Sequence, residues 1–355
     1  MDEIYLDDKG SISKIMAPGQ ERTQSMQGFD DDYVDIVDYI IRCTHKIWEE
    51  HGVGLIYTHY GHNVSIWTTD GLTYGREAVM EGTLKTQAAF PDVRLYGDEV
   101  LWTGDDQEGF FTSHRITWVA HNTGHSIYGP PTGKLVVRTG IANCFVKENL
   151  IIEEWIARDE LGLLLQLGFD LREVIGRLVR ADRRAEKEPR QYGLPERVEG
   201  QTTPPEMPPK EGEGFDIEDF VRRSFHEIWN WRLLNKIDEY YHPNHICHTT
   251  CERHIHGVGP FRAFILSLLG TFPDAVMTID KFYAMGDEEN GYRTMTRWNL
   301  QGTHKGPGPY GEPTGQPFYL MGISHHTVKD GRFVEEWTYF DEIALLKQLW
   351  RDSFE

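Results

Sequence analysis

The sequence repeats itself, and that constrains its fold more than any other feature. Phe90-Pro91-Asp92 recurs as Phe272-Pro273-Asp274, and Pro131-Thr132-Gly133 recurs as Pro313-Thr314-Gly315. Glu153-Glu154-Trp155 returns as Glu335-Glu336-Trp337, and Gln166-Leu167 as Gln348-Leu349, each at a separation of 182 residues. His45-Lys46-Ile47-Trp48 and His226-Glu227-Ile228-Trp229 match at 181. Chance does not hold one register through a whole domain. The 355 residues, too many for one ordinary core, therefore read as two copies of one fold in tandem.

Boundaries follow from the repeat. Residues 1–28 are expected to form a flexible arm, 29–169 the first copy and 214–355 the second. The intervening 170–213 combine a charged helical pattern, Leu171 to Glu188, with the Pro- and Gly-rich stretch Gln201 to Gly214, which suits a semi-rigid solvated linker. Within the second copy, Phe215 to Tyr241 and Gly259 to Leu269 read as helices. Strand-like runs follow near Ala275–Met285, Gly291–Thr303, Phe318–Val328 and Arg332–Asp341, and a short helix, Glu342 to Trp350, closes the copy. Helices segregated from a run of antiparallel strands give the α+β class.

Composition narrows the partners. A formal net charge of −20, spread along the chain, repels phosphate backbones and argues against nucleic acid. No apolar stretch is long enough to span a bilayer, and the N-terminus lacks the pattern of a secretory signal, so a cytoplasmic protein is expected. Four cysteines, Cys43, Cys144, Cys247 and Cys251, are too few for a disulfide scaffold and read as reduced thiols.

The segment Tyr241 to Thr249, the Phe-Pro-Asp and Pro-Thr-Gly motifs, Arg297-Trp298, Gly302 to His304, Asp330-Gly331-Arg332, Trp337 and the Asp341…Gln348-Leu349 ending follow one pattern. Together they resemble the SnoaL-like polyketide cyclase branch of the nuclear-transport-factor-2-like (NTF2-like) superfamily, in both copies. The resemblance implies two cone domains, each a bent antiparallel sheet packed on helices around a deep pocket. It implies chemistry without metal or organic cofactor, since members close polyketide rings by aldol condensation using an Asp and a His. On this sequence those two fall on Asp341, with Asp159 its counterpart in the first copy, and on His248. The position 182 before His248 is Ile66, which cannot carry a proton, so the second copy is expected to be catalytic and the first degenerate.

Strand geometry supports the same choice. Val328 to Phe333 reads as a hairpin with a two-residue Asp330-Gly331 turn, Lys329 opposite Arg332. In unbroken register Phe333, Glu335, Trp337, Tyr339 and Asp341 share one face, with Leu320 opposite Asp341, an apolar neighbour that would raise its carboxyl pKa. In the first copy the same exercise sets Asp159 against Arg138, an ion pair rather than a proton shuttle. A bulge in either hairpin would shift these pairings.

The expected site thus has Asp341 and His248 as catalytic groups. Arg297, His326, Trp337, His245, Trp229, Tyr339 and His304 are its substrate-binding candidates. His326 lies about 20 Å from Asp341 along a flat strand, where it could hold only the far end of a long substrate. His304 sits in the loop Gly302 to Gly315, at the expected pocket mouth. The dense His245–His256 run invites a metal reading, but it matches no standard zinc spacing, and alternation sends His245 and Cys247 to one face and His248 to the other. No metal or cofactor is expected. The leading function is a lyase, cyclase or isomerase, or with the same parts a hydratase or dehydratase, acting on a carbonyl-containing small molecule. The alternative is a non-enzymatic binding or dimer-assembly module. Association as a homo-oligomer or an intramolecular pseudo-dimer is expected.

Overall fold

The computed structural model describes residues 21–187, 206, 207, 209, 210, 212 and 214–354. Contacts divide it into two compact units, Met1–Phe169 and Asp170–Glu355. Unit 1 carries strands β1 (Tyr60–Thr68), β2 (Gly71–Tyr74), β3 (Arg94–Asp105), β4 (Gly109–His121), β5 (Leu135–Lys147) and β6 (Leu150–Arg158), with helices α1 (Ile36–Trp48), α2 (Arg76–Ala89) and α3 (Glu160–Leu167). Unit 2 begins with α4 (Leu171–Arg184) and α5 (Ile217–Phe225). It continues with strands β7 (Tyr241–Thr249), β8 (Arg253–His256), β9 (Val276–Asp287), β10 (Gly291–Thr303), β11 (Pro317–Lys329) and β12 (Arg332–Phe340), and with helices α6 (Val258–Thr271) and α7 (Glu342–Leu349). Each sheet has six strands, ordered β2-β1-β6-β5-β4-β3 and β8-β7-β12-β11-β10-β9. Both units are α+β domains with the same strand order. No helix among the described residues is long and apolar enough to cross a membrane.

The sheets are mixed, not purely antiparallel, because β1 runs parallel to β6 and β7 parallel to β12. Local chemistry explains the helix starts. Asp35, Asp159, Asp170, Asp216 and Asp341 are all N-caps whose carboxylates accept an amide from three residues on. The long helix expected over Phe215–Tyr241 is broken. It ends at Phe225, continues as a π-helical segment to Asn230, and reverses at Arg232, whose φ is +56°.

Two expected boundaries change. Helix α4, read as part of the linker, belongs to unit 2: Val174, Ile175 and Val179 are buried, and Asp182 pairs with Lys347 at 2.6 Å. The end of the expected arm packs onto unit 1, with Met26 buried and the Arg22 guanidinium donating to the carbonyls of Met26, Phe29 and Asp30. Residues 1–20 and most of the Pro-rich linker lie outside the described residues.

The Asp330-Gly331 turn forms as expected, with both residues at positive φ and Lys329 opposite Arg332. Two residues further the register slips. Val328 pairs with Phe333, but Thr327 pairs with Glu335, leaving Val334 as the extra residue of a β-bulge. Unit 1 repeats it: Val146 pairs with Ile151 and Phe145 with Glu153, leaving Ile152 unpaired. Because side chains alternate, one extra residue exchanges the two faces of the strand beyond it. Glu154 and Glu336 turn inward, and Glu335, Trp337 and Tyr339 turn away.

The interiors of the two units are filled differently. A Cβ on Gly322 would lie 2.0 Å from the Trp298 indole, whose Nε1 donates to Ser324 Oγ at 2.9 Å and whose ring packs on Phe340. That ring is held from two sides, so Gly322→Ala is expected to lower unit 2 stability by roughly 1–3 kcal/mol, the usual cost of overpacking. An unchanged urea midpoint would show that the indole can move aside.

Candidate functional site

Unit 1 encloses a cavity of about 280 Å³, whereas the corresponding space in unit 2 is about 40 Å³. Side-chain size at equivalent positions accounts for the difference. Thr44, Val79, Gly82 and Ile116 line the first cavity; Phe225, Phe261, Phe264 and Trp298 occupy those positions in the second. Unit 1 therefore keeps room for a molecule, and unit 2 closes on its own aromatic rings.

The wall of the unit 1 cavity follows from the bulge. On β6, Glu154, Ile156 and Arg158 alternate inward, opposite Cys144, Ala142 and Gly140 of β5. Glu154 is buried, with the Tyr60 hydroxyl and the Cys144 thiol within hydrogen-bonding reach. Burial pushes its carboxyl from the ordinary 4.5 up to about 7, against the pull of the Arg158 charge and those two hydrogen bonds. Burial also raises the Tyr60 phenol, so it stays a donor. At the Arg158 end, Arg138 donates to Glu160 at 3.1 Å and lies 4.7 Å over the Trp118 ring, and Tyr128 also donates to Glu160. The charge partner of Arg138 is thus Glu160, not Asp159 as expected. Asp159 caps α3 by accepting from Gly162.

In unit 2 the same strand face presents Glu336, Thr338 and Phe340 opposite His326, Ser324 and Gly322. Glu336 Oε2 lies 3.5 Å from His245 Nε2 and 3.7 Å from His326 Nε2. Burial pushes the His326 imidazole down to about 4. Burial would raise the Glu336 carboxyl, but hydrogen bonding and charge from His245, with help from His326, outweigh it and hold the acid below its ordinary value. This cluster is a tightly packed network with little free space.

The other expected site residues scatter. Asp341 lies one residue beyond the last pair, Gly322 with Phe340, so it is not opposite Leu320. Its carboxylate accepts from the Ala344 amide at 3.0 Å as the cap of α7, and it does not line the cavity. His248 turns the other way: its Nε2 meets Glu335 at 2.9 Å, its Nδ1 meets His254 at 2.7 Å, and its ring stacks on Trp337. The expected Asp341–His248 dyad is not formed.

Arg297, in register with Ile323, Trp337 and Tyr339 all lie on the sheet face away from the cavity. The guanidinium of Arg297 acts there on Asp280 and Lys281. His304 is fully buried and bonded to Thr314, anchoring its loop from within and not standing at a mouth. Trp229 and His326 do line the unit 2 space, and His245 faces it through Glu336. The unit 1 counterpart of His248 also changes. Trp67 and His248 hold the same place beside Trp155 and Trp337, so the offset here is 181, not 182. The β7–β8 turn has one residue more than the β1–β2 turn, which restores 182 beyond it.

Glu154, Arg158 and Glu336 escape strict alternation because the bulge reverses it. The signal that bears on them is the doubled Glu-Glu of the repeat, one of which must face inward on any strand.

Residues 219–349 match the family model described as SnoaL-like polyketide cyclase. Unit 2 is thus a SnoaL-like domain, and unit 1 repeats its strand order. Similar solved structures include a SnoaL-like protein of Jannaschia sp. CCS1, 20% identical over 39% of this chain and 97% of that one, with a TM-score of 0.35. IdmH of Streptomyces antibioticus is 25% identical over 37% of this chain and 96% of its own, with a TM-score of 0.33. TsrD of Streptomyces laurentii is 22% identical over 38% of this chain and 93% of its own, also with a TM-score of 0.33. No curated protein matches the chain significantly.

If Asp341 acts as a cap, Asp341→Ala should cost about 1 kcal/mol of stability and Asp341→Asn markedly less, since Asn also caps. Urea midpoints of the two variants check this, and equal losses would remove the capping role.

Proposed function

We propose that unit 1 is the catalytic copy, an acid–base enzyme of the lyase, cyclase or isomerase type. It acts on a carbonyl-containing small molecule held in the cavity, with Glu154 as the proton-transferring group. One observation carries this reading: a buried carboxyl raised to about 7 lines a cavity of about 280 Å³. A base titrating near neutral pH combines a useful ionised fraction with real basicity. Ionised Glu154 takes a proton from the carbon next to the carbonyl, and the electron pair of that C–H bond moves onto the carbonyl oxygen as an enolate. The Tyr60 hydroxyl, beside Glu154, is the donor placed to meet that oxygen. Protonated Glu154 then returns the proton to carbon or to a new alkoxide, closing the cycle. The SnoaL-like match of unit 2 supports small-molecule chemistry on this fold without naming the substrate.

The test is α-proton exchange of 2-tetralone and related benzo-fused ketones in D2O, followed by NMR. The chain should accelerate exchange, with a rate that rises through about pH 7 as Glu154 ionises. Glu154→Gln should lose at least about 100-fold, the lower range for a general base. Asp341→Asn and His248→Ala should keep the rate. Full exchange in Glu154→Gln would end the proposal.

The same carboxyl makes an independent stability prediction. Its folded pKa, about 7, exceeds the unfolded 4.5, so the folded state binds the extra proton and the penalty grows as pH rises between those values. Glu154→Gln lacks that penalty. Its stability relative to wild type should therefore improve by on the order of 3 kcal/mol from pH 4.5 to 7 and then level off. Paired urea titrations measure the difference, and a flat one would contradict the raised pKa.

For unit 2, the space of about 40 Å³ favours the alternative reading, a non-catalytic binding or assembly copy. His326→Ala and Glu336→Gln are expected to leave ketone exchange unchanged.

A further inference from the structure

We propose that the unit 1 cavity takes a carboxylate-bearing ligand, with the carboxylate held between the Arg158 guanidinium and the indole N–H of Trp118. The proposal names the substrate class of the site above, so as a statement about substrate it rests on that reading. Two observations point to an oxyanion as the ligand. Arg158 lines the cavity, half-buried, and among the described residues it makes no hydrogen bond or close ion pair; the Glu160 and Glu154 carboxylates reach it through charge alone. Trp118, buried and also lining the cavity, has an Nε1–H without an acceptor among the described residues. A buried donor left unmet is costly, and the half-buried guanidinium of Arg158 beside it has no hydrogen-bond acceptor among the described residues; one flat, two-oxygen anion, which a guanidinium binds in bidentate fashion, meets both.

The surrounding charge agrees. Arg138 sits beside both groups but already holds Glu160, so two guanidiniums share a single carboxylate at this end. A net positive charge remains at this end of the cavity. Gly140, opposite Arg158, makes room for the side chain: a Cβ there would lie 3.0 Å from Arg158 Cγ. Unit 2 supplies the contrast. At the positions of Trp118, Arg138 and Arg158 it carries Leu300, Leu320 and Phe340, so every donor of the set becomes apolar where the cavity is closed. Arg158 follows Glu154 by four residues, about 13 Å along the strand. The carboxylate and the reacting carbon of the ligand therefore lie at opposite ends of a molecule about two rings long.

Binding decides the matter without any turnover. Titration calorimetry of the full chain with benzoate, 2-naphthoate and decanoate, each against its neutral amide, should show at least one acid preferred about tenfold or more. Arg158→Met should abolish that preference, Arg158→Lys should restore part of it, and Trp118→Phe should weaken it several-fold. A wild-type chain that prefers none of the acids, or a preference that survives Arg158→Met in a variant with wild-type circular dichroism, overturns the proposal. Glu154→Gln separates the two readings. If it keeps ketone exchange while Arg158→Met loses acid binding, the anion site stands and the catalytic reading falls; the converse pattern removes the anion site alone.

Discussion

The candidate site depends on one extra residue in the last strand of each sheet. Ile152 and Val334 stand unpaired next to their hairpins, and every side chain beyond them is exchanged between faces. Without the bulge, Glu153 and Trp155 would face the unit 1 cavity and Glu154 and Arg158 would not. With it, a carboxyl and a guanidinium enter an otherwise mostly apolar space. The bulge recurs at the same place in both units, so it belongs to the fold and not to one site.

On this shared backbone the two copies have diverged by volume and polarity. The glycine opposite the end of the last strand shows this directly. Gly140 leaves space that the stem of Arg158 uses, whereas Gly322 leaves space that the Trp298 indole fills. Aromatic rings at Phe225, Phe261, Phe264 and Trp298 complete the closure of unit 2, where Thr44, Val79, Gly82 and Ile116 leave unit 1 open. The inward glutamates then meet opposite fates. Glu336 is held as an anion by His245 and His326, while burial pushes Glu154, beside a thiol and a phenol, toward neutrality against the pull of the Arg158 charge. A glutamate on one strand thus becomes a structural anion in one unit and an acid–base candidate in the other.

Much of the architecture was legible in the residues. The repeat placed two copies of one α+β fold, the Asp330-Gly331 dipeptide fixed its hairpin, and the SnoaL-like resemblance agrees with the match over 219–349. The site was not legible. Asp341, expected as an acid–base group, accepts from the Ala344 amide as the cap of α7. His248 stood in the right strand but on the face that meets Glu335 and Trp337.

The amino-acid sequence by itself determined what is local or periodic: helix starts at capping aspartates, a tight turn where two residues accept positive φ, and a register repeated over half the chain. These follow from short-range sterics and hydrogen bonding, which a few adjacent residues specify. Only the tertiary structure decided which face of the last strand turns inward and which unit keeps an open interior. A bulge is set by pairing with a neighbouring strand, and a void by the summed volume of side chains far apart in sequence. Neither quantity is written in any single segment.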